Sequence, residues 1–234
     1  MRILARNLIA SGALLLLGIA TPVKADFAAG QAAYGSGDYD TAIKEWRPLA
    51  EQGHVEAMSR LAAIYAVGLG DVVPKDYSQA VRWLHPLAEQ GSASAQVILG
   101  KIYREGGKGV PQDYTEAAKW YLRAAKQGEV VAQVAMGGLS EKGYGVKQNY
   151  AEAAQWYRQA AEQGYLTGQL ALGSMYFKGK GVPQDMVQAH LWLNLAAAQG
   201  DEDAANTRDA LAELMTPAQI AEAQKLAREW KPKK

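Results

Sequence analysis

The chain contains no cysteine. That excludes disulfides, thiolate catalysis, cysteine-ligated metals and the lipidated cysteine of an exported lipoprotein, so the fold has to be held by packing alone. Histidine is scarce as well: His54, His85 and His190 lie far apart, with no carboxylate motif beside them to suggest a metal site or a general base. Neither Gly-Lys-Ser nor Gly-Lys-Thr occurs in the glycine-rich segments, and Gly-x-Ser-x-Gly is absent, which removes the mechanisms of the phosphate loop and the nucleophile elbow. Ser59, Ser92, Ser94 and Ser174 fall in or beside expected helices instead. A long apolar run is also missing: Leu8 to Ala20 is about 13 residues, whereas a membrane-spanning helix needs roughly 20.

That short run follows a basic start, Arg2 and Arg6, and precedes small residues at Val23-Lys24-Ala25, the pattern of a signal peptide over 1–25 with cleavage after Ala25. The expected location is the periplasm, with full secretion as second choice and no stable membrane insertion once the leader is removed. Without Arg2, Arg6 and Lys24 the chain keeps 22 basic residues against 24 acidic, a balance that does not point to nucleic acid or to an anionic membrane. The 234 residues are 49% apolar and 21% charged, the composition of a chain that can fold.

What is present is repetition. LAEQG at 49–53 returns as LAEQG at 87–91, AAKQG at 124–128, AAEQG at 160–164 and AAAQG at 196–200, so the closing glycines stand 38, 37, 36 and 36 residues apart. A fixed period in that range marks stacked helical units. Within a unit, AQVILGKIYREG (95–106) and DYTEAAKWYLRAAKQG (113–128) both space apolar residues three and four apart, giving helix, loop and second helix. The second helices carry start signals: Asp76 with Gln79, Asp113 with Glu116, Asn149 with Glu152 and Asp185 with Gln188 are each spaced as a capping box. The closing glycine is the stop, free to adopt the left-handed conformation. Thr216-Pro217-Ala218-Gln219 predicts a last helix from about Pro217 to Trp230, a lid for the apolar end of the stack. His85-Pro86 and Arg47-Pro48 predict kinks in two second helices.

The aromatic residues follow the same period. Trp83, Trp120, Trp156 and Trp192 precede their closing glycine by eight residues and Trp46 by seven, which reads as core, while Ala62, Gly100, Gly137 and Gly173 let helices approach closely. Tyr65, Tyr103 and Tyr176 recur in step. Ser140 breaks that series, implying a smaller contact or a shallow pocket in its unit. Glu105 and Glu141 could meet across adjacent units, although charges on a solvated edge need no function.

The segment LGKIYREGGKGVPQDYTEAAKWYLRAAKQG resembles a Sel1-like repeat, the bacterial relative of the tetratricopeptide repeat. The likeness covers roughly Phe27 to Gly200 in five units, 27–53, 54–91, 92–128, 129–164 and 165–200. The first of these departs from the pattern through its short loop YGSGDYDTA. Residues 201–234 read as capping helices with a basic tail, similar to the closing segment of many exported members. The resemblance implies an all-α, right-handed α/α superhelical solenoid with a C-terminal capping helix, acting as a monomeric, non-catalytic adaptor of the bacterial envelope. It would bind a partner peptide or protein in a concave groove lined by the first helices, without a cofactor, to regulate a signalling receptor or assist envelope assembly. Mapped from tetratricopeptide grooves, the contact candidates are Glu56, Ser59, Ser94, Lys101, Arg104, Glu141, Thr167, Ser174 and Lys178. An alternative, binding or hydrolysis of cell-wall or β-lactam-type ligands, is drawn from cysteine-rich relatives, and the lack of cysteine weakens it.

Overall fold

The computed structural model describes residues 25–233; the expected leader up to Lys24, and Lys234, lie outside them. The described residues form twelve helices: α1 (Phe27–Gly35), α2 (Tyr39–Glu51), α3 (Val55–Val67), α4 (Tyr77–Glu89), α5 (Ala93–Glu105), α6 (Tyr114–Lys126), α7 (Val130–Lys142), α8 (Tyr150–Glu162), α9 (Leu166–Lys178), α10 (Met186–Ala197), α11 (Glu202–Ala212) and α12 (Pro217–Glu229). No strand occurs among these residues; Leu69–Val73 and Gly107–Val110 form isolated bridges inside loops. Each helix packs on its neighbours in the chain from α1 through α11, and α12 returns to α10. An all-α solenoid results, in which every unit gains its core only from adjacent units.

The helix ends explain why the period exists. Asp76, Asp113, Asn149 and Asp185 sit in extended conformation before α4, α6, α8 and α10, and their side chains accept amides of the first turn at 2.9–3.2 Å. The backbone amides of these four residues also donate to the carbonyls of Tyr65, Tyr103, Ser140 and Tyr176, so each cap is fastened to the last turn of the preceding helix. The reciprocal half of the capping box does not form at any of the four. Glu116 turns to Lys119 at 2.8 Å, and Glu152 accepts the Trp156 indole at 3.4 Å. Only Thr216 and Gln219, at the start of α12, make both halves.

In three of the five closing motifs the glutamine has a second task. Gln127, Gln163 and Gln199 donate to the side chains of Gln96, Gln133 and Gln169, three buried residues of α5, α7 and α9, at 2.8–3.0 Å. Gln163 and Gln199 also donate to the carbonyls of Gly128 and Gly164, the closing glycines of the units before. These bonds satisfy buried amides and fix the register between units. Further stitching comes from the loops: a Cβ on Gly145 or Gly181, both at positive φ, would lie 2.1 Å from the carbonyl oxygen of Tyr114 or Tyr150. The backbone there passes too close for any other residue.

Among the tryptophans, Trp46, Trp83, Trp120 and Trp192 are buried, whereas Trp156 is only half-buried. Trp46 is placed differently from the rest. Its ring lies against Gly30 of α1, just as Tyr121 lies against Gly100 and Tyr157 against Gly137. Counted back seven residues from the closing glycine, the facing positions are Trp46, Leu84, Tyr121, Tyr157 and Leu193. Tyr65, Tyr103 and Tyr176 are half-buried, and the hydroxyls of Tyr65 and Tyr176 accept from Arg47 and Arg158. α2 and α4 run continuously through Pro48 and Pro86, both of which fall in the last turns. At the far end, Trp230 meets Trp192 edge-on at 6.4 Å, and α12 covers α10 with Ala223, Leu226 and Ala227.

Candidate functional site

A cavity of about 920 Å³ opens on the face formed by the first helices α5 and α7 and the start of α9, with Tyr121 and Tyr157 of the second helices at its back. Its chemistry follows from two places where the units differ from one another. In Leu84 and Leu193 the helix-facing position is aliphatic, but at 121 and 157 it is tyrosine, and both rings line this cavity. The second place is Gly138, which stands where the neighbouring units carry Ala63, Lys101 and Ser174. With no side chain at 138, the wall recedes to the Tyr157 hydroxyl, 3.7 Å from where a Cβ would be. Ser140, the residue whose departure from the tyrosine series suggested a pocket, is wholly buried and off the wall; the cavity opens two residues earlier.

One side of the cavity is electrically closed and the other open. Tyr157 donates to Glu141 at 3.1 Å, and burial together with this carboxylate raises the phenol well above its usual range. Tyr121, 2% exposed, has Arg104 in the equivalent position, and its hydroxyl donates to no described residue. Burial pushes its pKa up to about 12, so it remains a protonated donor at any physiological pH. Glu105 accepts from Tyr77 at 2.8 Å and from Arg104 at 3.2 Å, and despite the opposing effect of partial burial these bonds and the charges of Lys101 and Arg104 hold its carboxyl below the usual range. An aromatic rim completes the opening: Tyr114 and Tyr144 pack at 4.8 Å, and Gln112 ties the Tyr114 hydroxyl to the Arg104 carbonyl. Val97, Val131, Val134 and Ala135 form the apolar floor.

Of the nine residues expected to make contacts, Lys101, Arg104, Glu141 and Thr167 converge on this cavity. Ser174 and Lys178 instead border a smaller apolar cavity of about 460 Å³ between α9 and α11, with Leu170, Phe177 and the 68%-exposed Leu214. Glu56, Ser59 and Ser94 are exposed and line neither. The Ser59 hydroxyl donates to the Val55 carbonyl, and Ser94 pairs with the Ser92 cap. Glu105 and Glu141 do share one cavity, each engaged by a tyrosine. Tyr121, Tyr157 and Gly138 escape a reading that follows the period, yet the signal is visible as Trp-Tyr in place of Trp-Leu and as Gly-Gly at 137–138.

The remaining polar groups have local roles. His54 caps α3 by accepting the Ala57 amide and stacks on Phe27; His85 meets Trp120 edge-on; His190 is buried in α10. Among the described residues no group of His, Asp and Glu is arranged to hold a metal, and no serine hydroxyl is bonded to a Lys, Glu or His. No described helix is long and apolar enough to cross a membrane.

Comparison with known proteins agrees with this architecture. The family described as Sel1 repeat matches residues 55–92, 93–129, 130–165 and 167–201, leaving α1 and α2 unmatched. A protective antigen of uropathogenic Escherichia coli with an SLR fold is 33% identical at a TM-score of 0.73 over 87% of this chain; the chain spans only 44% of that protein's length. A Sel1 repeat protein from Oxalobacter formigenes is 32% identical at a TM-score of 0.69, covering 88% of this chain and 86% of its own. A search of curated proteins gave no significant match. Four matched repeats and a solved relative of similar length show that the chain belongs to the Sel1 repeat family.

Proposed function

We propose that the protein is a non-catalytic adaptor of the bacterial envelope that holds a segment of a partner protein in the cavity between α5, α7 and the start of α9. Sel1 repeats typically serve as scaffolds for protein–protein interaction, which supports a protein partner over a small-molecule substrate. The observation carrying this reading is that units three and four carry Tyr121, Gly138 and Tyr157 where the units on either side carry Leu84, Ala63, Ser174 and Leu193, and all three fall on one cavity. Tyr121 and Tyr157 also pack on Gly100 and Gly137, yet Leu84 and Leu193 show that an aliphatic side chain serves the core at that position. The volume of about 920 Å³ and the mixture of apolar floor, aromatic rim and charged side chains fit several residues of a peptide. Regulation of a signalling receptor and assistance in envelope assembly are both compatible with such an adaptor, and a monomer suffices for either.

Gly138→Leu is the direct test, because a Cβ at 138 meets only the Tyr157 hydroxyl at ordinary contact distance while the leucine fills the cavity. Replacing glycine inside a helix also favours the helix by about 0.5–1 kcal/mol, so the fold is retained. Affinity capture from periplasmic extract should recover a partner with the wild type and lose it with Gly138→Leu; equal recovery would contradict the site. Export rests on the leader pattern alone. N-terminal sequencing of the periplasmic form should begin at Asp26, and a chain that never leaves the cytoplasm would contradict it.

A further inference from the structure

Granting the adaptor reading, the cavity also carries information about which peptide it takes. Consider its two halves as copies of one arrangement. In unit four, the tyrosine behind the first helix donates to a carboxylate supplied by the protein itself, Tyr157 to Glu141 at 3.1 Å. In unit three the corresponding tyrosine, Tyr121, is nearly fully buried and lines the same cavity, but the residue aligned with Glu141 is Arg104. Two donors therefore stand where unit four has a donor and its acceptor. Lys101, one turn earlier on α5, adds a third and makes no ion pair with a described residue. Of the two carboxylates on the cavity, Glu141 is taken by Tyr157, and Glu105 is already engaged by Tyr77 and by a single nitrogen of Arg104, leaving other N–H groups of that guanidinium available. The Tyr121 hydroxyl is not among the enclosed polar atoms that lack a partner, so it opens on the cavity, where a ligand carboxylate beside Arg104 and Lys101 would replace solvent with a charge-assisted acceptor.

We propose that the unit-three half of the cavity, formed by Lys101, Arg104 and the Tyr121 hydroxyl, binds the side-chain carboxylate of a Glu or Asp in an extended acidic segment of the partner protein. The acidic residue sits at the α5 end, in the position that Glu141 fills for Tyr157 one unit later. Its apolar neighbours lie on Val97, Val131 and Val134. Lining drawn from three successive units favours a segment that passes across the face over a chain end that stops within it.

The test uses the full mature chain and three acetylated peptides followed by nuclear magnetic resonance at fixed ionic strength: Ala-Leu-Glu-Leu-Ala amide, its Gln counterpart amide, and the Gln counterpart with a free C-terminal carboxylate. The Glu peptide should shift the Tyr121 and α5 resonances saturably and bind about tenfold tighter than the Gln amide, the size expected for a charge-assisted contact. Arg104→Glu, which hands Tyr121 an internal acceptor in the manner of unit four, should abolish that preference. Tyr121→Phe should reduce it a few-fold, since a neutral hydroxyl contributes less than an ion. Equal binding of the Glu and Gln amides, preference for the free C-terminus, or no shift with any peptide would overturn the assignment. The adaptor reading fails separately, through undiminished partner capture by Gly138→Leu.

Discussion

The pairs α5–α6 and α7–α8 share length, a side-chain cap on the second helix, closing glycine and buried glutamine, yet at one aligned position they carry Arg104 and Glu141. Behind each stands a tyrosine pressed on a glycine, Tyr121 on Gly100 and Tyr157 on Gly137. Both line the cavity, but among the described residues only Tyr157 has an acceptor, Glu141. The difference separates two kinds of position in a repeat protein: those that recur because stacking needs them, and those that stacking leaves free to vary, where the proposed partner segment would be read.

The comparison can be broken most severely at the glycine. In Gly100→Ala, the new Cβ would lie 2.7 Å from the Tyr121 ring, and overpacking of this kind costs about 1–3 kcal/mol. Chemical denaturation should show that loss, and adding Tyr121→Leu should restore most of it by copying the Ala62 and Leu84 pairing of unit two. No recovery in the double variant would mean that the facing pair is not the interchangeable module inferred from the alignment.

A smaller effect concerns the last unit, where His190 replaces the Ala118 and Ala154 of units three and four. Burial, and to a lesser extent the charge of Arg208, push its pKa below the usual 6.5, with Asp209 opposing. An imidazole whose folded pKa is depressed resists a proton that the unfolded chain accepts. Stability is therefore undiminished above the unfolded value and declines as pH falls through it. Between about pH 7.5 and about pH 5.5, the wild type should lose more stability than His190→Ala, which restores the alanine of units three and four. Parallel pH curves would refute this account of the imidazole.

Much of this molecule was legible from its sequence, and the parts that were not share a cause. Spacing located the closing glycines, the caps at Asp76, Asp113, Asn149 and Asp185, and the helix starting at Pro217, because these depend on local backbone geometry. The reciprocal half of the capping boxes failed because side chains three residues on had alternative partners, Lys119 for Glu116 and Trp156 for Glu152. Trp46 looked like a member of the tryptophan series, but one residue of offset moves it to the position of Tyr121 and Tyr157. In the site, periodicity identified the face that Lys101, Arg104, Glu141 and Thr167 share, but not its depth. Depth comes from a missing side chain at Gly138 and from tyrosines on the second helices, and a search along the first helices passes over both.

The central claim is that recognition occurs where units three and four depart from the period. Site-specific photo-crosslinking in the periplasm tests it most directly, with the crosslinker placed at Val131 on the cavity floor, at Leu214 beside the second cavity and at Val72 in a loop, all three well exposed. A discrete adduct with one partner from Val131, absent from Leu214 and Val72 and lost when Gly138→Leu is added, is the predicted result. An adduct from Leu214 or Val72 instead, or one from Val131 that Gly138→Leu leaves unchanged, would contradict it.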